Sequence, residues 1–297
     1  MSVATPMMRQ YLEVKAQHPD AILFFRMGDF FEMFLEDAVI ASKELDIALT
    51  SRNRGDRDEI PMCGVPVHAS RGYINKMVEK GYKVAVCDQV EDPREAKGLV
   101  RREVVRIVTP GLNGDGEALD PKENNFLLGI MAARADTFGM AWLDLTTGEF
   151  LVAEHNEGDR MRSEVVSICP GEILIPEGDE GDALVVEAAA WLPGTTVSRL
   201  PQWHFESDAA VRTLEEFFHC ASLEPFGCSE LPAATRAAGG IIRYVLETQK
   251  GAVPHILPPR VIQSSEFMLL DDVTRRNLEL TSTLQGGKRR GSLLAVL

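Results

Sequence analysis

Phe30 and Glu32 stand two residues apart in the stretch Arg26-Met-Gly-Asp-Phe-Phe-Glu-Met-Phe34, directly after a Gly28-Asp29 turn. If Phe30–Phe34 is extended, side chains alternate between faces. Phe30 and Glu32 then share one face, about 6–7 Å apart, while Phe31 and Met33 point the other way, into a core. An outward aromatic ring beside a carboxylate is unusual packing, but it suits a probe of stacked bases. An aromatic wedge can enter a minor groove at a cost of a few kcal/mol per unstacked step. That cost is lower where pairing is already poor, so a wedge selects weak sites. An anionic Glu32 is repelled by phosphates, so it helps only by meeting a donor on an exposed base edge or by becoming protonated. Composition alone favours a plainer reading, in which an aromatic-rich strand is simply core.

Other residues offer supporting or competing chemistry. Arg52, Arg54 and Arg57 in a polar loop, and Arg101, Arg102 and Arg106 farther on, are candidate phosphate anchors, although each alone is more often just a solvated side chain. Phosphate contacts position a duplex and base contacts read it. Met62 and His68 are candidates for the same groove surface, with a structural role for His68 equally open. Asp136, Asp144 and Glu149 allow a second reading, a two-metal nuclease. A third reading is a protein-interaction scaffold. His219, Cys220 and Cys228 fit no zinc spacing, so no metal site is expected there.

The elements that must position these groups follow from pattern. Thr5-Pro6 starts a helix that ends at His18-Pro19; Ala21–Arg26 and Phe30–Phe34 read as strands, and Glu36–Leu45 as a helix. Asp46–Ser51 is a short strand, Pro61–Pro66 a rigid turn, Ala69–Gly81 a helix, and Lys83–Asp88 and Glu103–Thr109 are strands. After a Gly-, Asn- and Asp-rich linker come three strands, Phe126–Ala133, Phe138–Leu145 and Glu149–Glu154, with Thr147-Gly148 at a hairpin. A helix over 159–168 and a strand over 172–175 complete the order of a ribonuclease-H-like fold. Helices are expected over 208–219, 233–249 and 271–284. Another starts at Ser292 and stops after its first turn, the mark of a piece of something larger. The fold class is α/β: two mixed α/β domains, the second ribonuclease-H-like, then a short helical stub.

The chain has 297 residues and a net charge of −14, with no apolar run long enough to cross a membrane. Residues 1–110 hold 16 basic and 17 acidic side chains, residues 111–260 hold 10 and 24. The acid excess therefore lies in the middle segment, which should avoid phosphates, while the first can carry a local basic surface. Five scattered cysteines and the absence of a signal peptide point to reduced thiols and a cytoplasmic location.

The stretch Gly28–Phe34 closely resembles the G-D-F-Y-E-L-F signature of the bacterial MutS family of DNA mismatch-recognition proteins. The resemblance continues in order through Thr5-Pro-Met-Met8, Pro61–Pro66 with His68-Ala69, Val104–Gly111, Leu143–Phe150 and Asp272–Leu280. Phe31 stands where the family often has Tyr, Cys63 where it often has Ala, and Val67 where it often has Tyr. The resemblance implies a mismatch-recognition domain (1–112), a linker (113–125), a connector domain (126–255) and the beginning of a core and lever domain (256–297). It implies that Phe30 stacks on a mispaired base, that Glu32 hydrogen-bonds to it, and that mismatched double-stranded DNA is the partner. It also implies contact with MutL through the connector, and homodimers in the full-length family, this stretch alone being monomeric. ATP and Mg are cofactors of a family P-loop domain. No GxxxxGK[ST] occurs here, and Gly286-Gly-Lys-Arg-Arg290 has the wrong spacing, so neither cofactor nor enzyme activity is expected of this stretch.

Overall fold

The computed structural model describes residues 5–296 apart from 53–58, 92–97, 114–123, 134–135, 179–181, 191, 193, 251–254, 263–271, 281–282 and 286–289. Arg54, Arg57 and most of the linker and Gly286–Arg289 turn fall outside the described residues.

Helix α1 (Pro6–Gln17) begins where Thr5 Oγ1 accepts from the Met8 amide and Pro6 occupies the first turn, whose amide would otherwise be orphaned. It leads into β1 (Ala21–Met27), β2 (Phe30–Phe34), α2 (Leu35–Leu45), β3 (Thr50–Arg52), β4 (Ile60–Pro66), α3 (Ser70–Glu79), β5 (Lys83–Gln89) and β6 (Arg102–Val108). These strands form one six-stranded sheet in the order β3-β4-β2-β1-β5-β6. Only β1 and β5 run parallel; the α2–α3 segment between them covers one face. Phe24, Phe31, Met33, Cys63 and Val65 pack there with α2 and α3. Leu23, Phe25, Phe34 and Ala85 pack on the opposite face under Met7, Met8 and Tyr11 of α1.

The Pro61–Pro66 stretch, expected as a rigid turn, is strand β4. It pairs antiparallel with β2 on one side and β3 on the other. Its prolines stand at the second and last positions, so Met62–Val65 supply the amide groups that a doubly paired strand needs. Cys63 and Val65 alternate into the core.

One buried carboxylate ties the first layers together. Asp37 of α2 accepts from Lys15 Nζ at 2.9 Å, the Leu23 amide at 3.0 Å and the Tyr11 hydroxyl at 3.2 Å. Burial and this carboxylate hold the Tyr11 phenol far above its ordinary range, so it stays a neutral donor. The Tyr11 ring meets Phe25 and Phe34 edge-on, at centroid distances of 5.5 and 5.0 Å. Helix α1, strands β1 and β2, and α2 thereby share one polar joint.

The second sheet is built from β7 (Phe126–Ala132), β8 (Phe138–Asp144), β9 (Phe150–His155), β10 (Glu172–Pro176), β11 (Thr196–Leu200) and β12 (Arg260–Val261), in the order β11-β10-β7-β8-β9-β12. An antiparallel β7-β8-β9 meander with β10 added parallel beside β7 is the ribonuclease-H-like order read from the sequence. The pairing of β12 with β9 carries this sheet past residue 255, where the sequence reading ends the second domain. Helices α4 (Gly158–Ile168) and α5 (Asp182–Ala189) cover one face; α6 (Ser207–Phe218) and α7 (Pro232–Thr248) cover the other. Of the helix expected over 271–284, the described part is helical at Asp272–Asn277 (α8), and Leu293–Val296 (α9) forms one further turn. Among the described residues no helix is long and apolar enough to cross a membrane.

Two close contacts set how these layers meet. Helix α7 lies so near the sheet that a Cβ on Gly139 would fall 1.9 Å from the Ala233 carbonyl carbon. Glu172, wholly buried, accepts from Ser198 Oγ at 2.6 Å, the Tyr244 hydroxyl at 3.0 Å and the Gly111 amide at 3.2 Å. The last bond anchors the chain as it leaves the first sheet. Gln249 Nε2 to the Ile107 carbonyl (3.2 Å) and Lys83 Nζ above the Tyr244 ring (5.6 Å) add to the same seam.

Gly139→Ala collides with backbone rather than with a yielding side chain, so a loss of about 3 kcal/mol is expected, the upper end of overpacking costs. A fall in melting temperature of roughly 6–12 °C follows for a chain of this size, measurable by calorimetry. Glu172→Ala orphans three donors in a dry site at about 1–3 kcal/mol each if none finds a substitute partner. Loss of cooperative unfolding or a large fall in the denaturant midpoint is the expected result; an unchanged midpoint would contradict the role of this joint.

Candidate nucleic-acid interface

Strand β2 is held on both sides. Its register against β1 sets Phe30 opposite Met27 and Glu32 opposite Phe25. Its register against β4 sets Phe30 opposite Pro66, Glu32 opposite Gly64 and Phe34 opposite Met62. Phe31 and Met33 are buried on the α2–α3 side, so Phe30, Glu32 and Phe34 share the other face. Helix α1 covers Phe34 and stops there. Phe30, at the strand's first position, is 48% exposed.

The turn before it is tightly made. Gly28 takes φ +60, a conformation that is costly with a side chain. Arg26 Nε donates to the Gly28 carbonyl, and its Nη1 lies 3.4 Å from Asp88. The Val67 amide donates to the Asp29 carbonyl at 2.9 Å, drawing the end of β4 against the turn. Arg26, Asp29, Phe30, Pro66, Val67 and His68 consequently line a shallow groove of about 470 Å³, with the Phe30 ring at its wall and His68 exposed at its side.

Glu32 lies one step inward. Gly64 opposite it keeps the surface low: a Cβ there would come 3.3 Å from the Phe31 carbonyl and 3.6 Å from Glu32 Cγ. The Glu32 side chain is 21% exposed, and its Oε2 is buried with no hydrogen-bond partner among the described residues. Among the described residues, Arg52 pairs with it, its Nη1 3.9 Å from Oε2, too long for a hydrogen bond. Burial raises the Glu32 carboxyl above the usual glutamate range, while the charges of Arg52 and then Arg102 pull it back. Arg52 also stands over the Phe34 ring, 5.9 Å from its centroid.

Six of the sequence-predicted residues are thus sorted by one sheet. Phe30, Glu32, Arg52 and Met62 lie on one connected surface, Met62 half-buried across from Phe34, and His68 closes its edge. Arg102 belongs to the same face but not to its surface. It is 8% exposed, with Nε donating to the Arg26 carbonyl at 2.6 Å and Nη1 to the Val100 carbonyl at 2.8 Å and Gln10 Oε1 at 3.1 Å. The expectation of a phosphate anchor at Arg102 is therefore corrected: its guanidinium braces the turn from below. Arg106 sits on edge strand β6, separated from β2 by β1 and β5, and the bulge between Val86 and Cys87 turns it opposite Val86 on the other face. The structure does not bring it to Phe30. Arg26, Asp29 and Gly64 are site residues the sequence reading missed. Their signal lay in the β2–β4 register, hidden while Pro61–Pro66 was read as a turn.

The carboxylates of the nuclease reading are engaged differently. Asp144 is buried and Oδ1 accepts from the Thr146 amide and hydroxyl at 2.8 and 2.6 Å, closing the β8–β9 hairpin. Glu149 is half-buried, its Oε1 3.5 Å from Arg260 Nη2. Among the described residues no three His, Cys, Asp or Glu side chains converge on a cation position.

Comparison with known proteins bears on the whole chain. Residues 5–117 match the family model of MutS domain I, and residues 125–257 that of MutS domain II. The DNA mismatch repair protein MutS of Desulfatibacillum aliphaticivorans is 47% identical over 293 residues, covering 99% of this chain and 33% of that protein. Those of Lachnoclostridium phytofermentans and Halothermothrix orenii are 44% and 46% identical, each covering 100% of this chain and 32% and 33% of their own lengths. The chain spans about a third of the length of the curated relatives it matches. With two domain models matched in sequence order over most of its length, the chain belongs to the MutS family.

Proposed function

We propose that this chain senses mispaired or unpaired bases in duplex DNA for mismatch repair. Phe30 enters the duplex from the minor groove and stacks on a base that is poorly held by its partner. Glu32, on the same strand face, hydrogen-bonds to the edge of that base. Arg52, Met62 and His68 flank the wedge, and Arg52 reaches the backbone phosphates. The observation that carries this reading is an exposed aromatic ring and an unsatisfied carboxylate on alternate residues of a strand pinned from both sides.

The physical fit is specific. A wedge must be rigid to convert its position into unstacking, and β2 has paired neighbours along its length. Selectivity comes from the duplex, since a mispaired step is cheaper to open. The acidic second domain is the part that stays clear of DNA and offers a surface to a protein partner, MutL by the family resemblance. ATP and Mg belong, on this reading, to a domain outside this chain. A single module buries little DNA surface, so binding by this chain alone is weak.

Fluorescence anisotropy with matched and G·T duplexes tests the reading. The 297-residue chain is expected to prefer the mismatch. Base–aromatic stacking is worth about 1–3 kcal/mol, so Phe30→Ala should weaken mismatch binding roughly 5- to 150-fold and leave matched binding within about twofold. Equal affinity of the unmodified chain for both duplexes would overturn the proposal.

A second expectation concerns stability. Because folding raises the Glu32 pKa, the ionised form is disfavoured in the native state. The contribution of Glu32 to stability is therefore greatest below the ordinary glutamate pKa of about 4.3, falls as pH rises through it, and levels off above the raised value. Glu32→Gln removes this titration. It should raise the melting temperature at pH 7, and the gain should vanish near pH 4; a variant less stable than the parent at pH 7 would show that the carboxylate is well satisfied after all.

A further inference from the structure

The seam between the two domains opens into a crevice that the mismatch-sensing role does not use. It measures about 440 Å³ and lies between the end of α1, the first residues of β1 and β5, and the last turn of α7. Ala21 and Lys83, paired in register, form one rim. Phe30 stands beyond the other end of β1, opposite Met27. The strand from Ala21 to Met27, at about 3.3 Å per residue, puts the wedge roughly 20 Å away.

Two charged pairs in the crevice are closed on themselves. Lys83 Nζ is 3.3 Å from Asp20 Oδ2 and stands over the Tyr244 ring, and His204 Nε2 is 3.0 Å from Glu247 Oε2. Two further groups are left over. His18 Nε2 is buried with no hydrogen-bond partner among the described residues. Lys250 is exposed and meets no carboxylate among them. Both positions are fixed by the backbone around them. The His18 amide donates to the Lys15 carbonyl at 3.0 Å, and its own carbonyl accepts from the Ala21 amide at 3.3 Å. Beside Lys250, Gln249 Nε2 donates to the Ile107 carbonyl.

The two leftover groups act on one another. Burial, and then the charge of Lys250, holds the His18 imidazole below the usual histidine range; Lys15 adds to this and Asp20 opposes it. From an adjoining hollow His18 also faces Glu13, Arg101, Arg102 and Glu103, of which Arg101 pairs with Glu103 and Arg102 is tied to protein oxygens. An anion that accepts from both the ring nitrogen and the ammonium turns their repulsion into a shared attraction.

We propose that this crevice binds a small phosphate-type oxyanion, free or as a monoester, between His18 of the first domain and Lys250 of the second. The anion accepts from Nε2 and from the ammonium, and the imidazole takes up one proton from solvent as it binds. The volume far exceeds that of an inorganic ion, and Ile107, Leu200 and Leu246 give it an apolar wall, so an ester with a compact apolar body fills it best. Because His18 ends α1 and Lys250 follows α7, the bound anion ties the two domains across the seam that Glu172 already anchors.

Histidine proton NMR on the 297-residue chain tests this site independently of mismatch sensing, with sulfate as the first probe because it does not titrate near neutral pH. The His18 signal, assigned by its loss in His18→Gln, should shift saturably with sodium sulfate and not with sodium chloride at matched ionic strength. Its titration should move to higher pH in sulfate. Sulfate affinity should rise as pH falls, up to tenfold per pH unit, across the window between the free and bound His18 pKa values. Lys250→Gln should weaken it roughly tenfold. His18→Gln should bind sulfate more weakly and without pH dependence. Phenyl phosphate should displace sulfate and bind more tightly, which would mark the ester over the free ion. A His18 signal that neither anion moves overturns the proposal, as does equal affinity in Lys250→Gln or a pH dependence that survives in His18→Gln. A matched DNA duplex is the last arm and should leave His18 unmoved. A shift with the duplex and none with the small anions would assign the crevice to the DNA backbone and overturn the proposal.

Discussion

Strand periodicity is the constraint from which the site follows. A strand paired on both edges cannot rotate about its axis, and its side chains must alternate. Burying Phe31 and Met33 on the α2–α3 side leaves Phe30 and Glu32 no choice of face. A slip of one residue would exchange the two sets and bury the glutamate without any partner. The register is held by several devices at once. Gly28 allows the sharp turn, Asp37 clamps β1 and α2 under Tyr11, and the Val67 amide closes on Asp29. Each is a local feature, and together they convert a hydrophobic pattern into the position of one ring.

The same logic extends outward through the second domain. The chain leaves the first sheet at Val108 and is caught three residues later, where the Gly111 amide meets Glu172. Glu172 sits at the head of β10 and also holds Ser198 of β11 and Tyr244 of α7. Three elements of the second domain and the strand exit from the first therefore converge on one wholly buried carboxylate. A buried polar group of this kind is costly to strip of its partners. Its contribution is to specify one arrangement of the parts around it, including the exit of the chain from the first sheet.

Much of this was legible in the sequence where local signals were strong. The Thr5-Pro6 helix start, the bounds of β2 at Phe30 and Phe34, the Thr147-Gly148 hairpin and the meander-then-parallel order of the second sheet all rest on capping, alternation or turn chemistry. What was not legible depended on pairing across the chain. Pro61–Pro66 carries two prolines and a glycine and reads as a turn, yet β2 and β3 on either side stretch it into a strand. Arg102 and Arg52 are indistinguishable as residue types. Three oxygens from Gln10, Arg26 and Val100 bury the first, while an edge strand leaves the second near solvent. Strand β11 and helix α5 escaped because Thr196–Leu200 and Asp182–Ala189 have no flanking signal strong enough to overrule their mixed composition.

The surface around Phe30 departs from what stability alone would select. A ring that contributes to a core is left half out of it, and a carboxylate is placed where water is scarce and hydrogen-bond partners are missing. Elsewhere the chain satisfies its buried carboxylates fully: Asp37 with three donors, Glu172 with three, Asp144 in its turn. The contrast within one molecule is the argument. A fold able to satisfy buried acids leaves Glu32 Oε2 with no hydrogen bond among the described residues, and opposite it places Gly64, the residue that offers no side chain to fill the gap. Such local inconsistency in an otherwise consistent sequence is where function is expected to lie. On the function proposed above, the missing partner comes from outside the chain, as the edge of a base beside the Phe30 ring.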